Sequence, residues 1–337
     1  VSERKIANFF KCVTIKTTYL ITPNSEGSSM TFKVVAVAGS GTMGHAIAQV
    51  LAQKGLTVLL LDEKAQIDKA LARIATNLEL LQQEGLAAPS FADVKSHIHP
   101  VESIEALKDA EVIFEAIPEQ KELKRQFFQA LEAIVEPEVI FASNTSTIRI
   151  AELAEGLQKP ERLLGVHWMI PAYIRPLVEV TPSIATSPEV VKTMLAFIHS
   201  IGKSAILARD IPGFIVNRMQ VAVFEAALSL LAEGIAPEDI DHAWTEHLGI
   251  RYTLTGPIAA MDDMGLDTIA YAFEYLEGAL GRKLEGKPLL EAKNRENALG
   301  LKTKKGFYDY HDQDVVQLLH EREKKLIWLF RQLGIAF

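Results

Sequence analysis

Val34-Val35-Ala36-Val37-Ala38-Gly39-Ser40-Gly41-Thr42-Met43-Gly44 is the stretch on which the reading of this chain turns. Five small or β-branched apolar residues make a strand that can be buried on both faces, and the glycine turn follows without a break. A helical pattern runs from Ala46 to Gln53. In that setting each glycine has a physical purpose. Gly39 allows the tight turn, Gly41 lets backbone amides approach a pyrophosphate, and Gly44 lets helix and strand pack closely. Thr42 and Met43 complete the loop, and the helix N-terminus stabilises phosphate charge. Residues 57–62 read as the next strand. It ends in Asp62, eighteen residues past Gly44, where a carboxylate can accept from both adenosine-ribose hydroxyls and would repel a 2′-phosphate. The stretch therefore predicts a dinucleotide site that favours NAD over NADP, although FAD shares the glycine fingerprint.

Outward from this turn, strand patterns at 33–38, 57–62, 111–114 and 139–142 alternate with helical ones, which predicts βαβ units and a parallel sheet. Further strands are expected at 163–167, 177–181 and 204–208, with a helix over 188–201. Past Asp210-Ile211-Pro212-Gly213 the strand pattern stops, and 214–233, 237–247, 267–280 and 317–333 show helical periodicity. The expected architecture is α/β: a Rossmann-type dinucleotide-binding domain over 30–209, then an all-α C-terminal domain over 210–337. Residues 1–29, rich in Thr and Ser, read as a leader that is disordered or non-native, with Met30 as the natural start.

Composition narrows the partners. Hydrophobic residues make up 48% of the 337 and charged residues 23%, enough apolar material for large cores and too much for a disordered chain. A formal charge of −8 without a basic run argues against nucleic acid. No apolar run approaches the roughly 18 residues of a membrane span. The single cysteine, Cys12, excludes an internal disulfide and a cysteine metal cluster and fits a reducing, cytoplasmic setting. His97 and His99 have no further ligand at metal spacing, so no metal is expected.

The chemistry lies further along. Ser143-Asn144-Thr145-Ser146 and Gly165-Val166-His167-Trp168 end two predicted strands, where ligands collect in open α/β sheets. Pro176-Leu177-Val178-Glu179-Val180 puts a carboxylate among apolar neighbours, and a buried charge needs a partner. His167 is the obvious one, since a His-carboxylate pair orients the ring and raises its basicity for proton transfer. Taken singly, His167 would be a core histidine, Glu179 a solvated strand residue and Asn217 a helix-start hydrogen bonder.

At these residues, and at Pro212-Gly213-Phe214-Ile215-Val216-Asn217-Arg218, the sequence resembles the 3-hydroxyacyl-CoA dehydrogenase family from Met30 to about Tyr310. The resemblance implies His167 as general base, Glu179 as its partner, and Ser146 and Asn217 as hydrogen-bonding groups for the reacting oxygen. It also implies Glu119 and Lys124 near the cofactor ribose and nicotinamide with Asn144 beside them, though an isolated Lys124 would read as a solvated helix residue. A short-chain L-3-hydroxyacyl-CoA dehydrogenase that uses NAD and forms a homodimer through its helical domain is the implied protein. Three features depart from that pattern. Ile170 stands where the acyl-CoA branch carries Asn, residues 171–176 and Gly249-Ile250-Arg251-Tyr252 look more like the gulonate and carnitine dehydrogenases, and the helix after Asp62 is poor in lysines for CoA phosphates. The alternatives are accordingly a dehydrogenase of a free 3-hydroxy acid, with Arg251 clamping the substrate carboxylate or bridging the domains, and a non-catalytic crystallin-like or NAD-sensing protein. His45 could shape the cofactor entry or serve packing alone, and residues 302–308 resemble the family's closing loop.

Overall fold

A computed structural model describes residues 32–334, so the leader expected at 1–29 and the start at Met30 lie outside the described residues. The chain forms two units, which divide between residues 225 and 226. Among the described residues, the first holds eight strands: β1 (Val34–Ala38), β2 (Thr57–Leu61), β3 (Ile98–Val101), β4 (Val112–Glu115), β5 (Ile140–Ser143), β6 (Leu163–Trp168), β7 (Leu177–Pro182) and β8 (Ser204–Leu207). They make one sheet in the order β3-β2-β1-β4-β5-β6-β7-β8. Its helices are α1 (Gly44–Gln53), α2 (Lys64–Gln83), α3 (Phe91–Ser96), α4 (Lys121–Glu132), α5 (Ile150–Leu153) and α6 (Pro188–Ser200), and α7 (Val216–Ala232) runs out of the unit.

Alternation along each strand builds the two cores. Val35, Val37 and Leu60 face one side, where Ile47 and Leu51 of α1 and Ile74 of α2 cover them. Ala36, Ile113 and Phe141 face the other, under Phe128 and Leu131 of α4. Each fully buried Leu, Ile or Phe contributes roughly 1.5–3 kcal/mol. Central strands buried on both faces explain why the sequence shows continuous apolar runs.

The sheet departs from the all-parallel expectation in one place. β6 and β7 pair antiparallel, with His167 opposite Glu179, Val166 opposite Val180 and Trp168 opposite Val178. The physical reason is length: residues 169–176 are too few for a parallel crossover, which takes a dozen or more. Since Val166, Trp168, Val178 and Val180 point into the first core, His167 and Glu179 share the opposite face.

The second unit contains α8 (Pro237–Ala243), a π-helical turn (Trp244–Leu248), α9 (Gly249–Leu254), α10 (Pro257–Met264), α11 (Leu266–Leu280), α12 (Lys287–Arg295) and α13 (Val315–Leu333). The helix expected over 237–247 changes to a π turn after Ala243, and α9, α10 and α12 lacked a distinct sequence signal. Asp262 on α10 has no exposed surface and holds the loop that follows α12. Its Oδ1 accepts from Phe307 N at 2.9 Å, and its Oδ2 accepts from Tyr308 N at 2.9 Å and the Tyr310 hydroxyl at 3.0 Å. Burial and the adjacent Asp262 carboxylate push the Tyr310 phenol above its ordinary value of 10.0. No helix among the described residues is long and apolar enough to cross a membrane.

Candidate active site

The glycine turn has the shape that its sequence requires. Gly39 adopts φ +90°, and a Cβ there would lie 2.6 Å from Ala116 O; a Cβ on Gly44 would lie 1.7 Å from Gly39 O. Gly41 has nothing within 4 Å of its missing Cβ, so the backbone is open where a pyrophosphate would approach, and the turn fits the nucleotide. Asp62 closes the turn from the end of β2. Its Oδ2 accepts from Ser40 N at 2.7 Å and Ser40 Oγ at 2.8 Å. Oδ1 accepts from Glu63 N at 2.8 Å. His45 is buried, with Nδ1 2.7 Å from Gly41 O, so it braces the turn from α1. Burial holds its ring below the ordinary 6.5, helped by Arg73 and opposed by the Gly41 hydrogen bond.

Three strands along the sheet, near the end of β6, His167 Nδ1 lies 2.8 Å from Glu179 Oε2. Glu179 has no exposed surface, and its Oε1 accepts from Ile215 N and Val216 N, both at 3.0 Å, at the start of α7. Burial opposes the charge, but His167 and the two backbone N–H groups outweigh it and hold the carboxyl below its ordinary 4.5. A carboxylate can only accept, so Nδ1 carries the hydrogen and a neutral ring keeps its lone pair on Nε2. Such a ring can take a proton at Nε2 while Glu179 stabilises the resulting cation.

The turn after β5 brings the other predicted residues together. Asn144 Oδ1 accepts from Trp168 N at 2.9 Å, which ties it to the strand end that carries His167. Asn217 Nδ2 donates to Ser146 O at 3.0 Å. Glu119 Oε1 accepts from Thr145 Oγ1 at 2.6 Å and Ser146 N at 3.0 Å. Burial opposes this charge as well, but Thr145, Lys124 and Ser146 N hold the Glu119 carboxyl below 4.5. Lys124 is 1% exposed, so the solvated-helix reading fails. It pairs with Glu119 and with Glu115.

Three residues belong to this constellation without having been singled out. Glu115 ends β4, fully buried. Asp210 accepts from Ile150 N at 2.7 Å and Ala151 N at 2.8 Å, and so caps α5 just beyond Ser146. Lys203 donates to Ala172 O at 2.6 Å and Arg175 O at 2.9 Å, fastening the loop between β6 and β7; burial first, then Lys54, lowers its amine to about 8. An apolar-flanked carboxylate in the 112–115 strand was the available signal for Glu115. Asp210 and Lys203 act on backbone far away in sequence and left none.

Ile170 is 59% exposed in the β6–β7 loop. Arg251 is in the second unit on α9, where Nη1 donates to Met264 Sδ at 3.3 Å, a weak acceptor. His99 sits on β3 opposite Leu59, with His97 just before it. Among the described residues, no group of three or more His, Cys, Asp or Glu could hold a metal.

The pattern described as "3-hydroxyacyl-CoA dehydrogenase, NAD binding domain" matches residues 34–211, and the one described as "3-hydroxyacyl-CoA dehydrogenase, C-terminal domain" matches 213–310. The chain belongs to this family. A probable 3-hydroxybutyryl-CoA dehydrogenase of Bacillus subtilis is 36% identical over 290 residues, covering 84% of this chain and 99% of that protein. The 5-formyl-3-hydroxy-2-methylpyridine 4-carboxylate 5-dehydrogenase of Mesorhizobium japonicum is 31% identical over 302 residues, covering 89% and 97%. Among solved structures, a 3-hydroxyacyl-CoA dehydrogenase of Archaeoglobus fulgidus superposes with a TM-score of 0.75 at 32% identity, over 90% of this chain and all of that one. The protein is an NAD-dependent oxidoreductase. The expectations of a Rossmann-type domain followed by a helical one, and of NAD as cofactor, are met.

Proposed function

We propose that the protein is a short-chain L-3-hydroxyacyl-CoA dehydrogenase, with 3-hydroxybutyryl-CoA as its reference substrate, and that His167 and Glu179 are its acid/base dyad. The 2.8 Å bond between His167 Nδ1 and a Glu179 that is itself held by two backbone N–H groups carries this reading. Gly39, Gly41, Thr42, Met43 and Gly44 hold the pyrophosphate end of NAD and Asp62 the adenosine ribose, with Glu119, Lys124 and Asn144 at the nicotinamide end. NAD, once bound, supplies the hydride acceptor. His167 Nε2 takes the proton of the substrate hydroxyl, Glu179 stabilises the imidazolium, and Ser146 and Asn217 hydrogen-bond the reacting oxygen as it becomes a carbonyl. NADH oxidation with acetoacetyl-CoA beside free 3-keto acids tests the reading: turnover is expected on the thioester, and its absence there would refute the substrate.

A second reading, a free hydroxy acid as substrate, is favoured by the apolar Ile170 three residues after His167 and by the carboxylate in the name of the Mesorhizobium relative. The two separate at Arg251→Met. A thioester masks its carboxylate, so the specificity constant should hardly change; a free acid would lose a charge-assisted pair of about 1.5–3 kcal/mol, a ten- to hundredfold drop.

The same reading makes the protein a cytoplasmic homodimer. Tyr271 and Tyr275 on α11 are 78% and 68% exposed, and Leu228 on α7 is 62% exposed, large apolar groups that a second copy would cover. Light scattering should give twice the mass of one chain, and the mass of one chain would reject the dimer.

A further inference from the structure

Glu115 lies in register with Ala38 of β1 and Ser143 of β5, at the end of a strand buried on both sides. Neither nucleotide binding nor proton transfer at His167 calls for a charge there. A carboxylate without exposed surface costs several kcal/mol of lost hydration unless its neighbours compensate. Here they do. Oε1 accepts from Lys124 Nζ at 2.5 Å and Ile117 N at 2.9 Å, and Oε2 from Ser143 Oγ at 2.6 Å. Burial still raises the Glu115 carboxyl above 4.5 against these three partners.

Lys124 contacts two further acceptors, Ile117 O at 3.2 Å and Glu119 Oε2 at 3.2 Å. An ammonium has three donors, and three protein acceptors surround this one. From Glu119 the contacts continue to Thr145 Oγ1, Ser146 N and Thr147 N. From Glu115 they continue through Ser143 Oγ, which accepts from Thr145 N at 3.3 Å. One carboxylate thus grips the turn at its beginning and the other at its end, with Lys124 between them.

We propose that Glu115 and Lys124 form a buried clamp that positions the 143–147 turn for hydride transfer, with Lys124 acting through its pairs with Glu115 and Glu119. Its catalytic consequence rests on the reading that Ser146 faces the substrate oxygen. Glu115 is a positioning residue: its carbonyl accepts from Asn144 N at 2.8 Å, and its carboxylate reaches Thr145 N through Ser143 Oγ.

Glu115→Gln keeps the shape but has one acceptor oxygen for three donors, so a donor is left over. Ser143→Ala cuts only the link to the turn. Hydrogen exchange of the whole protein should show protection at the 145–147 amides falling about tenfold in each variant, with β4 and β5 amides still protected. Turnover of acetoacetyl-CoA should fall about tenfold while the KM for NADH changes less than about threefold. The double variant should be no worse than the poorer single one, since both break one chain of contacts. Unchanged protection at 145–147, or equal loss through β4 and β5, would overturn the clamp, and so would turnover losses that simply multiply. If Glu115→Gln does not fold, Ser143→Ala decides alone. A wild-type enzyme inactive on acetoacetyl-CoA would remove the substrate reading and leave the exchange result to judge the clamp.

Discussion

Glu179 and Asp262 are fully buried carboxylates, one in each unit, and they are bonded almost alike. Each accepts from two consecutive backbone N–H groups, Ile215 and Val216 in one case, Phe307 and Tyr308 in the other. Each accepts once more from an aromatic side chain, His167 or Tyr310. Full satisfaction of a buried charge therefore does not mark an active site. The difference is in the third partner. A phenol that donates to Asp262 has spent its only proton, whereas an imidazole that donates through Nδ1 still has Nε2 for another. Surroundings reinforce the contrast: Glu179 pairs with a residue near the end of β6, and Asp262 lies under its own loop, so close that a Cβ on Gly306 would meet Oδ1 at 2.1 Å.

This comparison can be broken experimentally. The largest effect is expected from Glu179→Gln, which should lower turnover by about a hundred- to thousandfold, or about 3–4 kcal/mol in the transition state, with little change in NADH affinity; stopped-flow turnover beside fluorescence titration measures both. Wild-type turnover would end the dyad assignment. Asp262→Ala should instead cost about 3 kcal/mol of stability, because two backbone donors and a phenol lose their acceptor. Urea unfolding followed by hydrogen exchange at 307–310 would show whether the loop is released first. Tyr310→Phe removes one donor and leaves the other two, so a loss of about 1 kcal/mol is expected. A larger loss would mean that the third partner matters as much in the helical unit as in the first.

The smallest effect is in acid. The Glu179 carboxyl is held below its ordinary 4.5, so its charge stabilises the folded state above that pH, and the stabilisation is lost as pH falls through the lower folded value. The stability gap between wild type and Glu179→Gln should thus be full at neutral pH and shrink below about 4.5. A gap that widened in acid would mean the carboxyl is raised, not lowered.

Several parts of this are legible in the amino-acid sequence. The glycine turn could be read because local backbone geometry permits few residues there. The strands could be read because their burial is written as apolar runs, and His167 and Glu179 because a polar residue in such a run must be explained. The helices α9, α10 and α12 were not, since short amphipathic pieces are separated mainly by what packs on them. Local pattern and spacing thus determined by themselves the α/β unit, the NAD turn and the expectation that His167 partners Glu179, whereas Ser146 and Asn217 entered only through the resemblance to the family. Only tertiary structure decided that β7 runs antiparallel and so sets Glu179 opposite His167, that Lys124 is buried between two carboxylates, and that Asp210 and Lys203 hold the loops of the site. The reason is that strand direction follows from the length of the connection and its closure onto the sheet, and buried ion pairs join residues from different elements. Neither quantity is a property of any one stretch of sequence.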